Sequence, residues 1–243
     1  MITELPVLSV DRVSKRFGGV FAINHLSFNV YPGEVVGLMG PNGAGKTTLL
    51  NIIAGVYKPD AGEIEFRGKI ITGLPPYKIC HLGIARTYQI PQPFSNLTAM
   101  QNVLLAATYS RRRSREDAQA QAAKVMDYVH LTDKKDILAK DLLVVTLKRL
   151  ELARALATTP TLLLMDEVAA GLNEVEVPQV LNILKDVRKM GITVILIEHI
   201  MKVMVEAVDR IIVLDKGEKI AEGVPEEIME NRHVIKAYLG EAN

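Results

Sequence analysis

A glycine-rich loop between a predicted strand and a predicted helix carries the clearest chemistry in the sequence. Gly40, Gly45, Lys46 and Thr47 fit the spacing G-x-x-x-x-G-K-[ST], which is typical of loops that bind phosphate groups. Glycine lets backbone N–H groups approach an anion closely because it has no Cβ, and a helix start adds unpaired N–H groups. The lysine supplies a full positive charge, and the threonine hydroxyl can bind Mg²⁺. The predicted nucleotide-binding residues are Gly40, Pro41, Asn42, Gly43, Ala44, Gly45, Lys46, Thr47 and Thr48.

The alternative interpretation of this loop is a glycine-rich turn beside a helix, with no ligand. The flanking sequence argues against it. The apolar run at 35–39 has the length of a buried strand, and residues 49–54 continue as a helix, so the loop stands where a phosphate-binding loop must stand. We therefore expect a nucleoside triphosphate to bind here.

Two carboxylates follow a second apolar strand. Residues 162–165 are leucine and methionine, and Asp166 and Glu167 come directly after them. The carboxyl ends of parallel strands line the ligand site of open α/β sheets, so we expect these side chains beside the phosphate loop. Asp166 can hold Mg²⁺ through water, and Glu167 can polarise or deprotonate an attacking water. An apolar strand that merely ends in two acids is the alternative, and the phosphate loop argues against it.

Two more polar residues are predicted at the same edge. His199 comes just after the apolar run at 192–197, and Gln89 ends the strand candidate at 83–89. A histidine at a strand end is usually a structural hydrogen-bonding group, but the parallel arrangement puts His199 within reach of a terminal phosphate. The neutral amide of Gln89 can bind Mg²⁺ or orient a water. The predicted catalytic residues are Glu167, His199 and Gln89, and the predicted metal ligands are Thr47, Gln89 and Asp166.

The composition bounds the class of protein. The formal net charge of +1 argues against a protein that binds nucleic acid by bulk electrostatics. The single cysteine, Cys80, excludes an internal disulfide and agrees with a reducing compartment. Hydrophobic residues make up 49% of the 243, which indicates apolar surface for a partner to cover. No apolar run is long enough to span a bilayer and no leader pattern appears, so we expect a soluble cytoplasmic protein.

Strands and helices alternate along much of the chain, which is typical of an α/β fold. The later strands are continuous runs of β-branched residues and leucine, as expected of a parallel sheet covered on both faces. Between the two halves, residues 97–108, 115–129 and 147–157 are predicted to be helical. Arg111, Arg112, Arg113 and Arg115 form a basic run that we interpret as a solvated loop or helix end, with a phosphate or lipid-headgroup contact as the alternative.

Together these motifs resemble an ATP-binding cassette (ABC) ATPase, the nucleotide-binding subunit of a membrane transporter, over nearly the whole chain. The resemblance implies an α/β P-loop NTPase (RecA-like) core at 1–90 and 159–243, with an N-terminal antiparallel β subdomain and an inserted α-helical subdomain at 91–158. It implies ATP and Mg²⁺ as ligands. It also implies that the Phe17 ring stacks on adenine, and the alternative is that this ring simply fills the core. The matching motifs are Walker A at 40–47, the Q-loop Gln89, Walker B at 162–166, the catalytic Glu167, the D-loop at 169–173 and the switch histidine His199.

Shorter stretches narrow the resemblance to the ATPase subunits of branched-chain amino acid importers. Such importers pair two different ATPases with two membrane subunits and a substrate-binding protein. The resemblance therefore implies an energy-coupling ATPase whose partners are a second cassette, with a heterodimer favoured over a homodimer, and integral membrane permease subunits that dock after Gln89. It implies no nucleic-acid partner and a cytoplasmic position on the inner face of the membrane. The stretches are residues 16–19, 86–89, 150–156, 169–173 and 235–241.

The sequence departs from the family at the signature loop, which in the family clasps the γ-phosphate of ATP on the opposite subunit. Leu143 stands at the serine position of this loop and Val145 at its glycine position. Leu143 has no hydroxyl to donate, and Val145 adds a branched Cβ where the phosphate must approach. Elsewhere, Val168 replaces the usual proline after the catalytic glutamate, and Ile200 replaces the usual aspartate after the histidine.

We therefore expect an asymmetric dimer, in which this chain's Lys46, Glu167 and His199 serve a site completed by a partner's intact signature. The other site, built with residues 142–147 of this chain, is expected to hydrolyse ATP poorly. The alternatives are a backbone arrangement that still reaches the phosphate, an altered loop, a regulatory subunit that clamps ATP with little turnover, and a transporter for another substrate. Soluble cassette proteins of translation or DNA repair are disfavoured because no second cassette or coiled-coil insert is present, and a GTPase because Asn-Lys-x-Asp is absent.

Overall fold

Two β-sheets and the helices around them make up the computed structural model, which describes residues 5–110, 114–168 and 177–239. The strands are β1 (Leu8–Phe17), β2 (Val20–Val30), β3 (Val35–Met39), β4 (Ala61–Phe66), β5 (Lys69–Ile70), β6 (Ile84–Arg86), β7 (Leu162–Asp166), β8 (Thr193–Ile197), β9 (Arg210–Asp215) and β10 (Glu218–Gly223). The helices are α1 (Lys46–Ile53), α2 (Pro76–Leu82), α3 (Ala99–Ser110), α4 (Arg115–Tyr128), α5 (Val144–Ala157), α6 (Val177–Lys189), α7 (Met201–Ala207), α8 (Pro225–Glu230) and α9 (Arg232–Leu239).

The larger sheet has the strand order β10-β9-β3-β8-β7-β6. Its strands from β9 to β6 run parallel, and β10 is antiparallel to β9. Every residue of β3, β7 and β8 is buried because both faces of the sheet are covered. In β8, Val194 and Leu196 join an apolar cluster with α3 to α7, whereas Ile195 and Ile197 join a second cluster that contains α1. The carboxyl ends of β3, β6, β7 and β8 therefore meet at one edge.

The smaller sheet is antiparallel, with the strand order β2-β1-β4-β5. Leu8 of β1 and Phe66 of β4 are fully buried in the same cluster as Leu49 of α1. This packing sets the small sheet against α1, and the turn after Phe17 lies at its end. The predicted α/β fold, with an antiparallel N-terminal sheet and helices inserted between β6 and β7, is confirmed.

Several elements differ from the sequence prediction. The strand β10 and the helices α2 and α9 were not predicted, because each is only six to eight residues long. The helix α5 begins at Val144, three residues before the predicted start at Leu147. The predicted D-loop at 169–173, three arginines of the basic run (111–113) and residues 240–241 of the C-terminal motif lie outside the described residues.

No helix in the described part of the chain is both long enough and apolar enough to cross a membrane.

Candidate functional site

The phosphate loop, residues 40–45, connects β3 to α1 and is shaped by two glycines. Gly40 has a φ of 145° and Gly45 a φ of 105°, values that favour glycine. A Cβ on Gly40 would lie 2.1 Å from the carbonyl oxygen of Leu214, and one on Gly45 2.3 Å from that of Ala22. Neighbouring backbone therefore excludes a side chain at both positions. Of the other predicted loop residues, Ala44 is buried, Pro41 and Thr48 are half-buried, and Asn42, Gly43 and Thr47 are exposed.

Lys46 is the first residue of α1, and its ammonium group folds back into the loop. Its Nζ donates to the carbonyl oxygens of Gly40 (2.6 Å) and Pro41 (3.0 Å). Burial lowers the pKa of Lys46, and the nearby carboxylates of Glu167 and Asp166 oppose that shift. The start of α1 has no side-chain cap among the described residues, so its first N–H groups remain available to an anion.

Asp166, the last residue of β7, forms a buried ion pair. Its Oδ2 accepts a hydrogen bond from Arg86 Nη2 at 3.1 Å, and the two side chains are 1% and 6% exposed. Arg86 also donates to the side-chain oxygen of Asn51 in α1, and the Asp166 N–H donates to Thr87 Oγ1. Burial raises the pKa of Asp166, whereas the Arg86 guanidinium and the neighbouring Thr47 side chain lower it.

The surroundings of Asp166 fit a magnesium ion. The second carboxylate oxygen, Oδ1, is buried and has no hydrogen-bond partner within the described ranges. Such an oxygen is costly to bury unless a cation or a water completes it. Thr47 lies beside it, and the Gln89 side chain uses its nitrogen to donate to Glu167, which leaves its oxygen as an acceptor. Mg²⁺ is bound in proteins through oxygen ligands of this kind.

Glu167 is fixed by contacts from four directions. Gln89 Nε2 donates to its Oε2 at 2.6 Å, and His199 Nε2 donates to its Oε1 at 2.9 Å. The Glu167 N–H donates to the carbonyl oxygen of Ile197, and Lys148 Nζ donates to the Glu167 carbonyl oxygen at 3.0 Å. Its backbone φ of 50° lies in the left-handed region, which is uncommon for a residue with a side chain. The carboxylate is therefore held in one orientation.

The predicted catalytic residues and metal ligands thus come together at one edge of the sheet. Phe17 lies apart from them at the end of β1, where its ring is 46% exposed and meets the edge of the Tyr57 ring at 5.2 Å between centroids. Because nearly half of the ring is exposed, the alternative that Phe17 simply fills the core is wrong. Lys15 Nζ lies 5.6 Å from the centre of the same ring.

Sequence reasoning missed three polar residues that contact the site. Arg86 appeared only in a family motif, although a charged residue that ends a strand just before Gln89 signals a partner at the same edge. Lys148 gave no local signal, and Tyr238 appeared only within the family motif at 235–241. Tyr238 accepts a hydrogen bond from the Gly40 N–H, across a separation of 198 residues in the chain.

The altered signature loop still leads into the start of a helix, α5. Leu143 is the N-cap of α5, with extended backbone angles and no side-chain hydrogen bond to the helix. Leu143 and Val144 are 78% and 67% exposed, whereas Val145 is half-buried beside Lys148 and Val168. The helix thus presents its N-terminus with apolar side chains around it.

Comparison with known proteins assigns the family. Residues 23–170 match the family described as ABC transporter, and residues 218–242 match a family described as branched-chain amino acid ATP-binding cassette transporter. The chain belongs to the ABC transporter family. As a member of that family of transporter ATPases, the cassette binds nucleotide, and the fold and the phosphate loop agree with this assignment.

Relatives and solved structures match the cassette over nearly its full length. It is 39% identical to the high-affinity branched-chain amino acid transport ATP-binding protein LivG of Escherichia coli (strain K12), over 98% of this chain and 99% of that protein. It is 40% identical to BraF of Pseudomonas aeruginosa over the same shares. A nucleotide-free ATP-binding cassette from an ABC transporter superposes with a TM-score of 0.86 at 30% identity, covering 98% of this chain and 100% of that one. A dimeric post-hydrolysis cassette bound to ADP and Pi matches at 27% identity with a TM-score of 0.81, over 90% and 98%.

Proposed function

We propose that this chain hydrolyses ATP to drive the import of branched-chain amino acids, as one cassette of an ATP-sandwich dimer. The observation that carries the proposal is the Glu167 carboxylate, held between Gln89 and His199 at the edge of the sheet beside Lys46. A carboxylate fixed in this way is a group that can take a proton from an attacking water.

In this proposal the phosphate loop binds the nucleotide. Lys46 and the N–H groups at the start of α1 bind the β- and γ-phosphates. Thr47, Gln89 and Asp166 would hold Mg²⁺, which when bound supplies positive charge against the phosphate oxygens. The exposed ring of Phe17 stacks on the adenine.

Hydrolysis needs a water in line with the γ-phosphate and a group to activate it. Glu167 accepts the proton of that water, and Gln89 and His199 keep its two oxygens oriented toward the site. His199 is also within reach of the terminal phosphate in this proposal. Lys148 holds the Glu167 backbone from α5, so the helical segment and the catalytic strand move together.

The cargo class follows from the relatives. LivG and BraF are named as branched-chain amino acid transport ATP-binding proteins, and this chain matches both over 98% of its length. The match at 218–242 supports the same cargo. A transporter for a different substrate is the alternative, since the cassette does not itself touch the cargo.

The exposed apolar residues around Gln89 support docking to a membrane permease. Tyr88, Ile90 and Phe94 are all exposed, and Tyr88 also lines a groove between α2, β6 and the helices α3 and α5. Exposed apolar patches of this kind mark interaction surfaces. We infer that the helical subdomain at 91–158 docks on the permease, with the core formed by 1–90 and 159–243, and that the cassette lies on the cytoplasmic face of the membrane.

The start of α5 supports an asymmetric pair of cassettes. Leu143 has no hydroxyl for a γ-phosphate on the opposite subunit, and Leu143 and Val144 present apolar surface there. We infer that this chain works best with a second cassette that carries an intact signature, so a heterodimer is favoured over a homodimer.

The test measures Mg²⁺-dependent ATP binding and phosphate release with the purified chain, alone and mixed with a branched-chain-type cassette that has an intact signature. We expect ATP binding by the chain alone, slow hydrolysis by its homodimer and faster hydrolysis by the mixture. Fast hydrolysis by the homodimer would exclude the asymmetric arrangement. Failure of the purified chain to bind ATP in the presence of Mg²⁺ would rule out the proposed function as a whole.

The same observation at Leu143 favours a second candidate, a regulatory subunit that clamps ATP with little turnover. Hydrolysis that stays slow in the mixture, together with tight ATP binding, is the result expected of such a clamp. Uptake of labelled leucine by vesicles that carry the complete transporter separates the two, because an energy-coupling subunit must turn over ATP during uptake.

A further inference from the structure

The C-terminal helix α9 contacts the phosphate loop at a point that the proposed mechanism does not use. Tyr238 Oη accepts a hydrogen bond from the backbone N–H of Gly40 at 2.8 Å. Gly40 is buried, and a buried N–H needs a partner. The sheet does not supply one, because the pairing of β3 with β9 ends at Met39 and Val213. The tyrosine therefore satisfies the first amide of the loop.

Gly40 is held on three sides. The Tyr238 hydroxyl binds its N–H, and Lys46 Nζ donates to its carbonyl oxygen at 2.6 Å. The carbonyl oxygen of Leu214 lies so close to its Cα that a Cβ would be 2.1 Å away. The Tyr238 hydroxyl thus holds the peptide before Gly40 through its N–H, and the Lys46 ammonium holds the peptide after it through its carbonyl oxygen.

The Tyr238 ring is partly exposed and forms part of the wall of an apolar pocket that joins the two flanks of the site. Met39 stands directly before the loop, and Met201 stands two residues after His199. Burial in this pocket raises the pKa of the Tyr238 hydroxyl, so it stays neutral at physiological pH. The pocket is lined by Met39, Met201, Ile228, Met229, Val234, Ile235 and Tyr238.

We propose that Tyr238 is a positioning residue for nucleotide binding: its hydroxyl holds the first amide of the phosphate loop in the conformation that receives ATP. The C-terminal helix is then part of the nucleotide site rather than a passive end of the fold. The inference rests on the proposed function, because it requires ATP at this loop.

The test compares Tyr238→Phe with two control variants in the full chain. Tyr238→Phe keeps the ring in the pocket and removes only the acceptor, so we expect the Kd for ATP to rise about fivefold. The rate at saturating ATP, measured with the intact-signature partner, should stay unchanged because Glu167 is untouched. Tyr109→Phe, which alters an exposed tyrosine of α3, should leave both quantities unchanged. Ile235→Ala loosens the same helix in the same pocket without touching the hydroxyl.

Amide exchange gives a second readout of the same bond. In hydrogen–deuterium exchange, the peptide that spans Gly40 should exchange faster in Tyr238→Phe than in Ile235→Ala at equal melting temperature. Equal ATP affinity in wild type and Tyr238→Phe, or equal weakening in Tyr238→Phe and Ile235→Ala, would overturn the inference and leave the proposed function intact. A wild-type chain without ATP binding would instead remove the proposed function itself.

Discussion

The two helix starts at the candidate site, those of α1 and α5, offer a phosphate very different surroundings. Both lack a side-chain cap among the described residues. At α1, Lys46 carries a positive charge into the loop, and the carboxylates of Asp166 and Glu167 stand opposite. At α5, Leu143 and Val144 are exposed and neither can donate a side-chain hydrogen bond. A helix N-terminus is therefore only part of a phosphate site, and the side chains around it decide what binds.

The helix α5 nevertheless contacts Glu167, which stands opposite the start of α1. Lys148, in the second turn of α5, donates to the backbone carbonyl of Glu167. Burial lowers the pKa of Lys148, and the carboxylates of Glu198 and Glu167 oppose that shift. The helix thus holds the end of β7 in its own chain, although the side chains at its exposed start are apolar.

The largest effect is expected from replacing Glu167, the carboxylate that stands opposite the start of α1. Glu167→Gln keeps the shape of the side chain and removes the proton acceptor, so phosphate release should fall at least about 100-fold. ATP affinity, measured with a fluorescent ATP analogue, should not change because the loop is untouched. Glu226→Gln, at an exposed position of α8, is the control and should change neither quantity. Loss of ATP binding in Glu167→Gln would contradict the assigned role.

The next effect is expected from breaking the buried ion pair between Arg86 and Asp166. Arg86→Met leaves the buried Asp166 carboxylate without its cation, so the free energy of unfolding should fall by about 3–5 kcal/mol in urea titrations. The exposed pair of Arg12 and Asp11 offers a matched control. Arg12→Met should change the same free energy by less than about 1 kcal/mol. Equal losses in both variants would show that Arg86 is not needed to balance Asp166.

Restoring the family's residues at the start of α5 tests whether the altered signature loop limits hydrolysis. Leu143→Ser combined with Val145→Gly supplies a hydroxyl and removes a branched Cβ, and a hydrogen bond to a charged group contributes roughly 1.5–3 kcal/mol. Hydrolysis by the homodimer should therefore rise about tenfold or more. Val144→Ser removes a similar exposed apolar side chain at the neighbouring position and should not raise the rate. An unchanged rate in the double variant would mean that the loop is not the limiting defect.

The smallest effect is expected from replacing Phe17, the exposed ring at the end of β1. Phe17→Ala removes the exposed ring proposed to stack on adenine, so ATP binding should weaken by about 1 kcal/mol, roughly fivefold, while the saturated rate stays the same. Phe21→Ala removes a second exposed ring of the same hairpin, which lies against Arg16, and is the matched control. Equal affinities in the two variants would place the base elsewhere.

The sequence predicted the main parts of the site because each has a local cause. The loop at 40–47 is recognised from its spacing alone. Asp166, Glu167 and His199 were predicted from apolar strands that end in polar residues, since the ends of parallel strands share an edge. The helix α5 starts three residues before the predicted position, because residues 142–147 align with the family's signature loop. A helix start without a capping side chain leaves little trace in the sequence.

What the sequence determined by itself is the phosphate loop, the buried strands of the parallel sheet with helices between them, and the set of polar residues available at one edge. These depend on backbone preferences and apolar periodicity over a few residues. Only the tertiary structure decided which of these groups touch: Glu167 between Gln89 and His199, Asp166 against Arg86, and Tyr238 on Gly40. Such contacts join residues 32 to 198 positions apart, and they depend on strand order and on the packing of helices. No local pattern encodes them.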